Sequence, residues 1–331
     1  MMNITDILEN LTQINSPSGN EAEVRACVTS MIKPYCDEIY TDAMGNLIAH
    51  KKGDGTKIML AAHMDEIGII ATDIDDNGFI RFSSVGGLNT RYLVNTRVKF
   101  SNGTVGVVGA QDEAFKDKPE LDKLFIDIGA ANKEEALKCV QVGDSAAFLG
   151  DMITRADTLV SKALDNRAGC AVLIDVIHNI KSSDNDLYFV FTVQEEVGLR
   201  GAKTAAFSIE PDIAIAVDVT DTGDTPDAPA MAVSLGNGTA VKVMDRSVIC
   251  DADVRTKMIE TAKKNNIPYQ LEIMTDGGTD AGAIHLTRAG VKTGGVSIPL
   301  RYVHSPSEMA NLNDIKASSK LLQKMVTETW G

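Results

Sequence analysis

Between Leu187 and Val193 the chain is almost wholly apolar, β-branched or aromatic, the pattern of a strand covered on both faces of a parallel sheet. The run ends in two adjacent acids, Glu195 and Glu196, followed by Gly198. The same pattern recurs. Lys57-Ile-Met-Leu-Ala-Ala-His-Met-Asp65 is a strand that ends in His63 and Asp65, Asp212-Ile-Ala-Ile-Ala-Val-Asp218 is a strand that ends in an acid, and Val291 to Ile298 leads through a short loop to His304. Helical spacing appears over Ile4–Ile14, Glu21–Tyr35, Cys170–Ile180, Gly201–Phe207, Ala252–Asn265 and Leu312–Thr329. Val233 to Val243 reads as a hairpin around Gly236-Asn-Gly238, and Tyr269 to Met274 as a further strand.

From Ile67 to Leu159 the texture changes to short alternating runs, punctuated by Asp76-Asn-Gly78, Gly86-Gly87 and Asn102-Gly103, with one helical stretch at Lys133–Val140. These signals predict a small β-barrel or sandwich. The strands and helices around it predict an α/β fold, a mixed and largely parallel sheet covered by helices. If His63 and the acids beyond residue 160 share a site, the β-rich module at 67–159 interrupts a domain made of 1–66 and 160–331.

Composition narrows the function. With 331 residues and 44% hydrophobic content the chain can bury a large core and form two domains. Its formal charge of −14 disfavours nucleic acid and anionic membrane surfaces. Five cysteines, scattered singly without CxxC spacing, argue against a disulfide framework or a thiolate metal site, and suit a reducing cytoplasm. No basic stretch followed by an apolar run opens the chain and no run of eighteen apolar residues occurs, so neither secretion nor membrane spanning is expected.

His63, Asp65, Asp165, Glu195, Glu196, Asp218 and His304 all fall at strand-to-loop or loop-to-helix transitions, where α/β folds gather their sites. Each has an ordinary explanation: Asp165 could cap the helix that follows it, His63 could end a strand, and Glu195-Glu196 could be a solvated turn. Together they form the imidazole and carboxylate inventory of a divalent-metal pair, which needs a bridging carboxylate at a separation of about 3.5–4 Å.

In Ala62-His-Met-Asp-Glu-Ile-Gly68, Leu164-Asp-Asn-Arg167, Val193-Gln-Glu-Glu-Val-Gly198, Val217-Asp218 and Arg301-Tyr-Val-His-Ser-Pro306 the chain resembles the M42 family of dinuclear metallo-aminopeptidases. The resemblance spans nearly the whole chain, in long motifs that occur in the right order. It implies Asp165 as the carboxylate bridging two metals, His63 and Asp218 as further ligands of one, and Glu196 and His304 as ligands of the other. It also implies Glu195 as the general base and Asp65 as the acid that orients His63. Two divalent ions per chain are expected, zinc first, with cobalt and manganese as the other candidates. The family further implies peptide substrates with a free N-terminus, a PDZ-like insert that makes dimer contacts, and dimers assembling into a dodecamer.

Three rivals compete. A deacylase of amino-acid conjugates would use the same metals. An endoglucanase-type glycosidase is disfavoured, because neighbouring strand residues point to opposite faces, whereas such an enzyme needs two carboxyls flanking one bond. A noncatalytic assembly protein would be expected to have lost a ligand or the base, and none is missing. His50, His178 and His285 lie outside the motifs and are expected to be structural. Gly277-Gly-Thr-Asp280 is expected near the substrate pocket, with helix capping by Thr279 or Asp280 as the alternative, and Arg255 and Arg301 are candidates for pairing with an acidic substrate side chain.

Overall fold

A computed structural model describes residues 2–111, 119–226, 228 and 230–330. In chain order its helices and strands begin with α1 (Ile4–Thr12), α2 (Ala22–Ile32), β1 (Glu38–Thr41), β2 (Leu47–Lys51) and β3 (Lys57–His63). There follow β4 (Gly68–Ile74), β5 (Ile80–Val85), β6 (Arg97–Phe100), β7 (Val105–Ala110), β8 (Leu124–Asp127), α3 (Lys133–Cys139) and β9 (Ser145–Phe148). The chain continues with β10 (Ile153–Arg155), β11 (Thr158–Ser161), α4 (Leu164–Asn179), β12 (Asp186–Thr192), α5 (Arg200–Ile209) and β13 (Ile213–Thr220). It closes with β14 (Thr239–Met244), α6 (Ala252–Lys264), β15 (Tyr269–Ile273), α7 (Ala281–Ile284), β16 (Lys292–Arg301), β17 (Glu308–Asn311) and α8 (Leu312–Thr327).

The large sheet has eleven strands in the order β1-β2-β12-β3-β13-β16-β17-β11-β10, with β14 and β15 branching from β16. Its centre is parallel: β12, β3, β13 and β16 are consecutive neighbours running the same way. Both faces are covered, as the unbroken apolar runs require. Ile58, Leu60 and Ala62 face a core built with α1, α2, α4 and α8, while Met59 and Ala61 face Ala202, Ala205, Ala206 and Ile284 on the other side. Because the four central strands are parallel, their carboxyl ends emerge at one edge, and that edge carries His63, Glu195-Glu196, Asp218 and the His304 loop.

Strands β4 to β9 close a six-stranded barrel in the order β4-β5-β8-β7-β6-β9, around its own core of Ile69, Ile80, Val98, Phe100, Val108 and Ile126. The barrel ends at Phe148. At the end of the stretch read from sequence as β-rich insert, β11 pairs instead with β17 of the large sheet, and β10 pairs with β11. The hairpin expected around Gly236-Asn-Gly238 does not form. Val233 lies outside any strand, and the N–H groups of Gly236 and Gly238 donate to the Asp314 carboxylate of α8, each at 2.7 Å. A buried helix carboxylate there takes the donors that a second strand would have used. Among the described residues no helix is long and apolar enough to cross a membrane.

Candidate active site

Each expected site residue reaches the carboxyl edge of the sheet by a different local device. His63 is the last residue of β3, in register with Thr192 of β12. Asp218 sits inside β13, beside Ser297 of β16. Glu195 and Glu196 occupy the turn after β12, with Gln194 and Leu199 in left-handed backbone and Gly198 at φ +122°, a conformation that suits glycine. Asp165 is at the start of α4, where its φ and ψ are not yet helical and its peptide bond to Asn166 is cis. His304 lies in the loop between β16 and β17 at φ +59°.

The Asp165 carboxylate stands between the two imidazoles. One oxygen is 3.2 Å from His63 Nε2 and the other 3.3 Å from His304 Nε2. Asp218 adds an oxygen 3.6 Å from His63 Nε2, and Glu196 one at 3.3 Å from His304 Nε2. Ligand atoms of His63, Asp165 and Glu196 lie within 4.8 Å of one another, as do those of His63, Glu195 and Asp218. Glu196 Oε1 is buried without a hydrogen-bond partner. These residues open onto a cleft of about 1050 Å³ whose wall includes Tyr92 and Gly87 of the barrel stretch and Gly277 and Gly278.

The electrostatics follow from crowding acids around two imidazoles. Burial alone would lower the His63 pKa, but Glu195, Asp165, Asp218 and Asp65 raise it well above its ordinary value. Burial would likewise raise Asp165, but His304 and His63 hold its carboxyl below the usual carboxylate range. Burial pushes Glu195 well up, opposed mainly by His63. The cluster thus attracts positive charge, and a divalent cation would compete with protons for the same lone pairs.

Asp65 lies beside His63, the residue it is expected to orient, and makes further contacts. His63 Nδ1 is 3.1 Å from the Asp65 carbonyl oxygen, with the carboxylate farther away at 3.5 Å. The carboxylate accepts the Ser18 hydroxyl at 2.6 Å and the backbone N–H groups of Glu195 and Glu196 at 3.1 and 3.2 Å. It therefore fixes the turn that carries the two glutamates.

The Gly277–Asp280 loop does border the cleft, and neither Thr279 nor Asp280 caps α7 with its side chain. Thr279 donates to Asp245, and Asp280 accepts the Thr192 hydroxyl at 2.6 Å beneath the site, its carboxyl pushed up to about 7 by burial. Arg301 lines the cleft, but Asp224 closes its guanidinium in a bidentate pair at 2.7 and 2.9 Å; Arg255, on α6, is not in the cleft wall. His50 pairs with Asp186, His178 with the Met31 carbonyl and His285 with the Ala281 carbonyl, all outside the cluster. Sequence reading put Asp280 in the pocket loop without a role of its own, and it missed Glu308, whose carboxylate touches the backbone of Asp165 and His304. The only signal for Glu308 was an acid four residues past His304.

Comparison with known proteins places this architecture. The family model described as M42 glutamyl aminopeptidase matches residues 45–321. A provisionally named aminopeptidase of Acetivibrio thermocellus is 57% identical over 322 residues, covering 97% of this chain and 98% of the relative. The solved structure of an aminopeptidase from Desulfurococcus kamchatkensis superposes with a TM-score of 0.95 at 38% identity, covering 98% of this chain and 95% of that one. The TET1 peptidase of Pyrococcus horikoshii, described as assembling into a tetrahedron or a large octahedral shell, gives 0.90 at 36% identity, with 98% and 100% covered. With its fold, the order of its motifs and these likenesses in agreement, the chain belongs to the M42 aminopeptidase family, hydrolases that act on peptide bonds.

Proposed function

We propose that the protein removes N-terminal residues from peptides at a two-metal site, with Glu195 as general base. The observation that carries this reading is the Asp165 carboxylate, which turns one oxygen to each of two imidazoles. The donor set suits a pair of divalent cations: oxygen and imidazole ligands converge without thiolates, and a buried carboxylate oxygen of Glu196 has no protein donor. His63, Asp218 and Asp165 would hold one ion; Glu196, His304 and Asp165 the other. Zinc is the proposed metal, with cobalt and manganese as alternatives. When bound, such ions polarise a carbonyl and lower the pKa of water.

The chain's own groups do the rest. Glu195 stands within reach of the His63 and Asp218 ligand atoms. It takes the proton of the attacking water and returns it to the departing amine. The adjacent backbone of Glu196 ties that base to the ligand cluster, and Asp65 holds both residues by their N–H groups. The acids of the cleft suit a free α-ammonium, which makes the enzyme an exopeptidase.

The barrel of β4 to β9, which makes up most of the stretch 67–159, is proposed to contribute dimer contacts, with dimers building a closed shell such as the one described for the Pyrococcus relative. All five cysteines are free, in keeping with a cytoplasmic site of action. The test is a panel of aminoacyl anilides, free and N-acetylated, assayed after chelation and re-addition of zinc, cobalt or manganese. The reading requires cleavage of free substrates and its loss on chelation. Preferential turnover of blocked substrates would favour the deacylase, and turnover that survives full metal removal would reject the metal site.

A further inference from the structure

We propose that Glu308 is a positioning residue for the Asp165–His304 half of the site, an inference that rests on the metal-site reading above. Glu308 opens β17 and is buried. One of its carboxylate oxygens accepts the Asp165 N–H at 3.0 Å, and the other accepts the His304 N–H at 2.9 Å. A single side chain thereby links the start of α4 to the β16–β17 loop at the two residues whose side chains meet 3.3 Å apart.

The chemistry calls for a carboxylate. Two N–H donors converge from separate segments, and each needs its own acceptor. Glutamine offers one acceptor oxygen and turns an N–H group toward the second donor. Burying a charge is costly unless it is paired, yet among the described residues no lysine or arginine lies within ion-pair distance of Glu308. A buried acid kept for two backbone contacts has a positional job.

His304 needs that help more than His63 does. Its backbone is left-handed, as are Tyr302 at φ +62° and Ala163 at φ +54°, conformations that carry a steric cost for a residue with a Cβ. His63 sits on a strand and has the Asp65 carbonyl at its Nδ1. Among the described residues no hydrogen bond reaches His304 Nδ1; the ring meets Asp165 and Glu196 only through Nε2, so its placement leans also on its main chain. Gly87 packs directly behind it, where a Cβ would come 3.1 Å from Nδ1.

The experiment is a calorimetric titration of chelated protein with Co²⁺, read in parallel by cobalt absorption, on wild type, Glu308→Gln, His304→Ala and the double variant. Wild type is expected to bind two ions. Glu308→Gln should keep one at wild-type affinity and weaken the other about 10–100-fold, with the same spectral change as His304→Ala and no further loss in the double variant. Should Glu308→Gln fail to fold, as judged by its thermal transition, Glu308→Asp takes its place with the same expectation. Wild-type affinity at both sites, or equal weakening of both, would overturn the inference. Fewer than two ions on wild type would instead reject the metal-site reading, and the inference with it.

Discussion

His63 and His304 meet the same carboxylate from opposite sides, but the fold builds them differently. His63 and Asp218 stand on adjacent central strands whose register is fixed by backbone pairing on both sides. Glu196 and His304 stand on loops, and their places are set by buried acids, Asp65 under the glutamate turn and Glu308 under the histidine loop. The barrel stretch adds close approaches: a Cβ on Gly86 would meet the Glu196 side chain at 3.2 Å. One half of the site is therefore a property of the sheet. The other is a property of contacts that a single substitution can remove, and it should be the half that fails first.

The largest expected effect breaks chemistry without touching either half. Glu195→Gln should lower kcat by about 10²–10⁴-fold while metal analysis still finds two ions; loss of an ion in this variant would mean that Glu195 is the ligand and Glu196 the base. Next comes the loop half. Gly87→Val forces a side chain against the His304 ring and should cost about 100-fold in kcat/KM, the scale of an ångström-sized misplacement, with weaker binding of one ion. A comparable loss of both ions would erase the distinction between the halves. Asp65→Asn should be milder, about 10-fold in kcat, since the amide can still accept one of the two N–H groups of the glutamate turn; an unchanged kcat would show that the turn holds itself.

The smallest effect lies away from both halves and concerns stability alone. Burial pushes the Asp314 carboxyl up to about 6, against its two N–H donors from Gly236 and Gly238. Between about pH 4 and 6 the unfolded chain has given up this proton while the folded chain retains it, so Asp314 makes stability fall as pH rises through that window, and the trend flattens above it. Asp314→Asn should remove the slope. The melting temperatures of wild type and variant, compared at pH 4.5 and 7, should differ more in favour of wild type at the lower pH.

Much of this architecture could be read from the chain because strands buried on both faces leave long apolar runs, and because a histidine or acid at the end of such a run has few structural reasons to be there. The runs ending near His63, Glu195 and Asp218 made the sheet legible, and the turn signals after Ile67 made the barrel legible. Contacts made only in three dimensions left no such trace. Nothing local marks Glu308 as a clamp between residues 165 and 304, or Asp65 as the acceptor for the glutamate turn as well as a neighbour of His63. Arg301 looked available for a substrate because its partner, Asp224, is distant in sequence. The hairpin expected at Gly236-Asn-Gly238 failed for the same reason, since Asp314 arrives from the last helix to take its donors. Strand β11 reads as one more short β run, and its pairing to β17 rather than to the barrel is set by residues nearly 150 positions later.

If one carboxylate serves both halves, its removal should empty both, and the metal content of Asp165→Ala tests this most directly. Purified, folded and supplied with zinc, the wild-type chain should carry two ions, Asp218→Ala and His304→Ala one each, and Asp165→Ala fewer than one. An Asp165→Ala protein that still holds two ions would contradict the shared-carboxylate site.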